Sequence, residues 1–113
     1  MALALNTFRT VVGIVSTTPE AKYTAPVGYT GVFLLAQVTN IGATSEDITV
    51  LHRRVVNQTT IETEILKQYP ISSNDSLNLF SGKLILENGD ALVIYGSNGT
   101  NLKFVGSILE TLS

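Results

Sequence analysis

The sequence predicts an all-β fold, a single β-sandwich of Ig-like or jelly-roll type built from about eight antiparallel strands. Three observations predict it. Apolar residues come in short runs separated by Gly, Pro and Asn. Two Asn-Gly pairs stand between such runs near the C-terminus, and both central residues of a type I′ turn need the positive φ that these residues tolerate. Helical periodicity is weak throughout.

The elements follow in order. Residues up to about 9 read as an extended N-terminal segment, with Ala2, Leu3, Leu5 and Phe8 as its apolar side chains. Thr10 to Ser16 reads as a strand ending at the turn-like Thr17-Thr18-Pro19-Glu20. Tyr23 to Tyr29 holds Pro26 and Gly28 and reads as a corner outside any sheet. Gly31 to Val38 is apolar on both faces up to Gln37, as expected of a central strand covered on both sides. From Asp47 to Val56 the alternation places Ile48, Val50, His52, Arg54 and Val56 on one face, and Thr49, Leu51, Arg53 and Val55 on the other. Thr59 to Leu66 sets Ile61, Thr63 and Ile65 against Glu62, Glu64 and Leu66, as in a half-buried strand with an acidic outer face. Across the Asn57-Gln58 turn, Glu62 and Glu64 can pair with Arg53 and Arg54. Ser73 to Phe80 fits either one turn of helix or a short strand. Lys83 to Leu86, Ala91 to Tyr95 and Leu102 to Val105, joined through Asn88-Gly89 and Asn98-Gly99, read as an antiparallel meander.

Composition narrows the function. A chain of 113 residues suits one domain, here 1–113, and its lack of cysteine leaves packing to supply the stability. Charged residues make up only 14% against roughly 25% in an average soluble domain. Such a surface is completed either by other subunits or by Ser, Thr and Asn. Net charge is −2, and the seven basic residues form no stripe, which argues against nucleic acid or an anionic membrane as partner. No apolar run approaches the ~18 residues of a membrane span. The first residues carry no basic segment of secretory type, so the chain is expected to act where it is made or to leave inside an assembled particle.

The reactive side chains form no recognisable catalytic or metal-binding pattern. His52 is the sole histidine and sits mid-strand beside two arginines, with no Gly-x-Ser-x-Gly elbow elsewhere. It reads as a strand-face or interface residue. Glu87, Asp90 and Asp75 could serve calcium by type, but no Asp-x-Asp-x-Asp-Gly loop is present, and carboxylates at a tight turn are usually turn formers. Zinc spacing cannot be built, there is no tryptophan platform for sugar rings, and phosphate-cradling glycine loops are missing. The sequons at Asn57, Asn74 and Asn98 mark surface turns. No cofactor or metal is expected, and the chain reads as no enzyme.

The succession Tyr23-Thr24-Ala25-Pro26-Val27-Gly28, Leu35-Ala36-Gln37-Val38-Thr39-Asn40, Pro70-Ile71, Asn74-Asp75-Ser76-Leu77-Asn78-Leu79, Gly82-Lys83-Leu84-Ile85-Leu86-Glu87-Asn88-Gly89-Asp90 and Ser107-Ile108-Leu109-Glu110 resembles small virion structural proteins of tailed bacteriophages infecting cyanobacteria and other aquatic bacteria. These are scaffold motifs. The resemblance implies a virion component made in the host cytoplasm. The specific expectation is a capsid decoration or cement protein acting as a trimer, bound to itself and to other virion proteins such as the major capsid protein. Ala2, Leu3, Leu5 and Phe8 are then the partner contacts. The alternatives are a neck, tail or baseplate subunit, or a carbohydrate- or receptor-binding sandwich using Tyr23, Tyr29, Tyr69 and Tyr95.

Overall fold

A computed structural model describes residues 6–112. Nine strands run in chain order: β1 (Asn6–Ile14), β2 (Glu20–Thr24), β3 (Tyr29–Asn40), β4 (Glu46–Val56), β5 (Thr59–Ile71), β6 (Ser76–Asn78), β7 (Leu84–Leu86), β8 (Ala91–Gly96) and β9 (Leu102–Leu112). Ser73 to Phe80 therefore holds the short strand and not the turn of helix.

Every pairing is antiparallel. One sheet has the order β1-β9-β3, with β6 and β7 sharing the far side of β3, and the other has the order β2-β8-β4-β5. The pairs are nested: first strand with last, β2 with β8, β3 with β7, and β4 with β5. A long hairpin rolled up on itself produces that nesting, so of the two sandwich types expected the chain adopts the jelly roll.

The nesting corrects the expected C-terminal meander. β7 and β9 lie in one sheet and β8 in the other, so both Asn-Gly pairs sit where the chain crosses between sheets. Gly89 does take φ +85°. Its turn is closed by Asp90 N–H on the Glu87 carbonyl at 2.8 Å, and Gly89 N–H goes to Ala25. At the second crossing, Asn98 Oδ1 accepts from the amides of Thr100 and Asn101. Of the four residues in the two Asn-Gly pairs only Gly89 has positive φ, so neither pair makes the type I′ turn expected, and the strands they join find other partners.

Two further expectations change. Glu20 to Thr24 is a strand, so Tyr23 and Thr24 belong to a sheet and the corner shrinks to the Ala25–Tyr29 bend, closed by Tyr29 N–H on the Pro26 carbonyl. β3 is central, but only one of its faces is covered. Phe33, Ala36 and Val38 are buried while Leu34 and Leu35 are each 40% exposed, because a register shift between Phe33 and Leu35 inserts one residue and restores the inward alternation beyond it. The strand buried on both faces is β8, with Ala91 to Ile94 all inaccessible.

The core between the sheets is filled by Phe33, Ile48, Leu86, Leu92, Ile94, Leu102 and Ile108. Phe33 sits edge-on between Tyr23 and Phe80, with ring centroids 5.7 and 6.0 Å away. The β4–β5 hairpin outruns the sandwich: β8 pairs with β4 only as far as Arg53, and the last residues of β4 pair with β5 alone. The expected half-burial of Ile61 fails for that reason, and Ile61 is exposed together with Val55 and Val56.

Candidate interaction surface

The outward face of the β1-β9-β3-β7 sheet follows from strand alternation. Ile108 and Glu110 point into the sandwich, so Leu109 points out, and with it every residue directly opposite. Those residues are Phe8 on β1 and Val32 on β3, with Ile85 of β7 opposite Val32 in turn. Phe8, Leu109, Val32 and Ile85 thus form one apolar row across four strands. Phe8 is 74% exposed and Ile85 58%. Val12, 71% exposed, stands opposite Val105 along the same face. On β9 the outward residues are Lys103, Val105, Ser107, Leu109 and Thr111, with a single charge at one end. A sheet face with this composition is suited to contact with another apolar surface.

The ionisable groups are arranged otherwise, and two carboxylates are buried. Asp90 receives Arg54 Nε on Oδ1 at 2.9 Å and Arg54 Nη2 on Oδ2 at 2.6 Å. Oδ2 also lies 3.0 Å from His52 Nε2 and accepts the Glu87 amide at 3.0 Å. The hydrogen bonds from Arg54 are the foremost reason its pKa lies below the ordinary aspartate value; burial opposes them, and His52 and the Glu87 amide add to them. Glu110 on β9 receives Arg9 Nε at 2.7 Å and the Tyr23 hydroxyl at 2.6 Å. Burial acts to raise its pKa, but Tyr23 and Arg9 outweigh that and hold it low.

His52 thus meets an acid, yet the arrangement is a clamp. Both oxygens of Asp90 are engaged, two of their bonds from one arginine fork, so the carboxylate fastens β4 to the 87–90 turn. Glu87, the other carboxylate weighed as a cation ligand, is 3.1 Å from Arg54. The expected cross-hairpin pairing holds for Arg53 with Glu62, at 2.9 Å. Arg54 turns to Asp90 instead, and Glu64 stands opposite Leu51.

Of the expected partner contacts, Phe8 lies on β1 and is exposed, while Ala2, Leu3 and Leu5 fall outside the described residues. The segment taken as an extended leader up to about residue 9 is, from Asn6 onward, part of β1 and paired with β9. Among the tyrosines proposed for stacking on sugars, Tyr23 is buried and committed to Glu110, whereas Tyr69 is 45% exposed. Sequence reading missed Val12, Val32, Ile85 and Leu109. Their signal is the apolar residue left over on the second face of a strand whose first face already fills the core.

No family model matches this sequence, and no curated protein matches it. Solved structures share the fold. A chain of the infectious bursal disease virus particle superposes with a TM-score of 0.57 at 12% identity, over 96% of this chain and 31% of that one. The acid-stable capsid of Helicobacter pylori bacteriophage KHP30 gives 0.51 at 10% identity, over 96% of this chain and 89% of the other. The chain therefore spans less than a third of the length of the infectious bursal disease virus chain. At these identities the likeness concerns the fold.

Proposed function

We propose that this chain is a non-enzymatic structural subunit of a viral particle, in particular a phage capsid decoration or cement protein that binds the particle surface as an oligomer. The observation that carries the reading is the apolar row Phe8, Leu109, Val32 and Ile85, exposed at its two ends and half-buried at Leu109 and Val32 between them, on a sheet whose other face is already packed. Leaving such a row wet forfeits roughly 25 cal/mol for every Å² that a neighbour could cover. The jelly roll shared with chains of two viral particles supports the same reading. The whole of 1–113 is taken as one domain made for this contact. A trimer, expected from the sequence, is one arrangement of the oligomer, and its size in solution decides between that and the two-fold pair argued below.

A neck, tail or baseplate position would use the same surface and differs only in where the chain is found. The carbohydrate-binding alternative loses support, because Tyr23 is inside the core.

The test is location. Gold-labelled antibody against this chain should decorate purified particles at the head, and a Phe8→Glu, Ile85→Glu variant of unchanged fold should no longer attach. A chain missing from particles, or a double variant that attaches as the wild type does, overturns the reading.

A further inference from the structure

Sheet edges expose unpaired N–H and C=O groups, and proteins that remain single guard them with charge, proline, bulges or short length. Three of the four edges here are guarded. β5 carries Glu62, Glu64, Lys67 and Pro70, and its pairing with β4 shifts register twice. β2 has five residues, a bulge between Ala21 and Tyr23, and Lys22. β6 and β7 have three residues each.

β1 is the exception. Nine residues pair with β9 without a register shift, and no Pro, Lys, Asp or Glu occurs among them. Its one charge, Arg9, is bonded inward to Glu110. The N–H of Val15 donates to the Leu102 carbonyl at 2.8 Å, one step beyond the Ile14–Lys103 pair. By the alternation of an antiparallel ladder, odd-numbered residues of β1 bond to β9, and Phe8, Thr10 and Val12 turn their backbone groups to the open side. Among the described residues only the far end is closed, where Lys22 Nζ caps the Ile14 carbonyl at 2.6 Å.

We propose that β1 is a strand-addition edge through which two copies of this chain pair antiparallel about a two-fold axis at Thr10, joining their β1-containing sheets into one. The inference rests on the assembly reading above and names its partner and contact. The edge complements itself. With Thr10 on the axis, Phe8 of one copy stands opposite Val12 of the other on the outward face, an aromatic against a β-branched residue. Arg9 stands opposite Val11, so no like charges oppose. Pairing with β5 of another copy would instead bring Pro70, Glu62, Glu64 and Lys67 against the ladder. A two-fold contact uses the same patch on both copies and closes on itself, which limits the product to a pair.

The full chain lacks cysteine, so Thr10→Cys reports the axis directly. Residues directly opposite in an antiparallel ladder are about 4.5–5.5 Å apart at Cα, within disulfide reach. Under mild oxidation Thr10→Cys should cross-link two copies, and Thr60→Cys, on the projecting hairpin, should not. Sedimentation should give a dimer for the wild type and a folded monomer for Thr10→Pro, which removes only an outward N–H. Should that variant misfold, Val12→Lys is to give the monomer in its place, by setting a charge against Phe8. A folded Thr10→Pro or Val12→Lys that stays dimeric, or equal cross-linking at both cysteines, overturns the pairing and leaves the structural role standing. So does a monomeric wild type that still decorates particles. A chain that pairs through β1 yet is missing from every particle overturns the structural role alone.

Discussion

Tyr23 and Glu110 meet across the core: a phenol on β2 of one sheet donates a 2.6 Å hydrogen bond to a carboxylate on β9 of the other. Space for the ring exists because Gly31, directly opposite Glu110 in the ladder, has no side chain. A Cβ there would lie 2.7 Å from Tyr23 Cε2 and 2.9 Å from its oxygen. The contact joins the two sheets through a directional bond at a place where apolar packing alone would let them slide.

Tyr23→Phe keeps the edge-on packing against Phe33 and removes the donor, leaving Glu110 with Arg9 alone. The expected loss is about 1–3 kcal/mol, typical of a buried charged acceptor deprived of one partner. Denaturant titration should show a lower midpoint with an unchanged slope. Gly31→Ala should destabilise the wild type and do so much less in a Tyr23→Ala background, since the clash is with that ring.

Acid should unfold the protein by way of two carboxylates. Asp90 and Glu110 both have folded-state pKa values below their ordinary ones. The unfolded chain then binds more protons in the acid range, so their stabilisation is present above about pH 4–5 and is lost as pH falls through the folded values. Tyr23 runs the other way. Burial, and then its bond to Glu110, raises its pKa, so its share is present below about pH 10 and is lost as pH rises further. Unfolding free energy followed against pH should fall at both ends. Tyr23→Phe should abolish the alkaline limb attributable to that residue, and Glu110→Gln should flatten the acid one.

How much of this was legible in the sequence depended on the range of the interaction. Alternation placed β4 and the start of β5 within a residue or so, because Ile48, Val50 and Leu51 meet their environment locally. The Asn88-Gly89 turn was legible as a turn and misread as a hairpin. Positive φ at Gly89 is a local property, whereas the choice of β3 as partner for β7 is made by residues more than fifty positions away. β2 was hidden because Glu20, Ala21 and Lys22 offer no apolar alternation and a proline lies close on either side. The two-sided hydropathy of Gly31 to Val38 was read as burial on both faces. Hydropathy reports that a face prefers cover and is silent on whether the same chain supplies it. At the candidate surface, Phe8 was therefore visible as an apolar residue with nowhere to go, while Val32 was taken as covered with the rest of its strand and Ile85 passed as one residue of a short apolar run.

Asp90 is the residue whose loss should cost most among the polar groups. Asp90→Ala strands the Glu87 amide and releases Arg54 and His52 together, and a charge-assisted network of this kind contributes about 2–3 kcal/mol. Asp90→Asn should recover part of that, since an amide oxygen can still accept from one or two of the three donors. Thermal unfolding of both variants checks the order, wild type above Asn above Ala. Equal melting of Asn and wild type would mean that charge at this position is irrelevant.

The Asn57-Gln58 turn offers the opposite sign. Both residues sit in the left-handed region, at φ 50° and 64°. This is the backbone of a type I′ turn, whose favoured second residue is glycine. Gln58 is exposed at the tip of the projecting hairpin, so its side chain contributes no core packing. Holding a residue with a Cβ in this region costs about 1–2 kcal/mol, and glycine removes that cost while losing more chain entropy on folding, about 0.5–1 kcal/mol. Gln58→Gly should therefore raise stability by up to about 1 kcal/mol, which for a chain of this size is a rise in Tm of a few degrees. Because β4 and β5 beyond Arg53 pair only with each other, the gain should appear chiefly as slower amide exchange in Arg54 to Ile61, with the core strands unchanged. Uniform protection across the whole sandwich would show instead that the hairpin tip unfolds only with the rest.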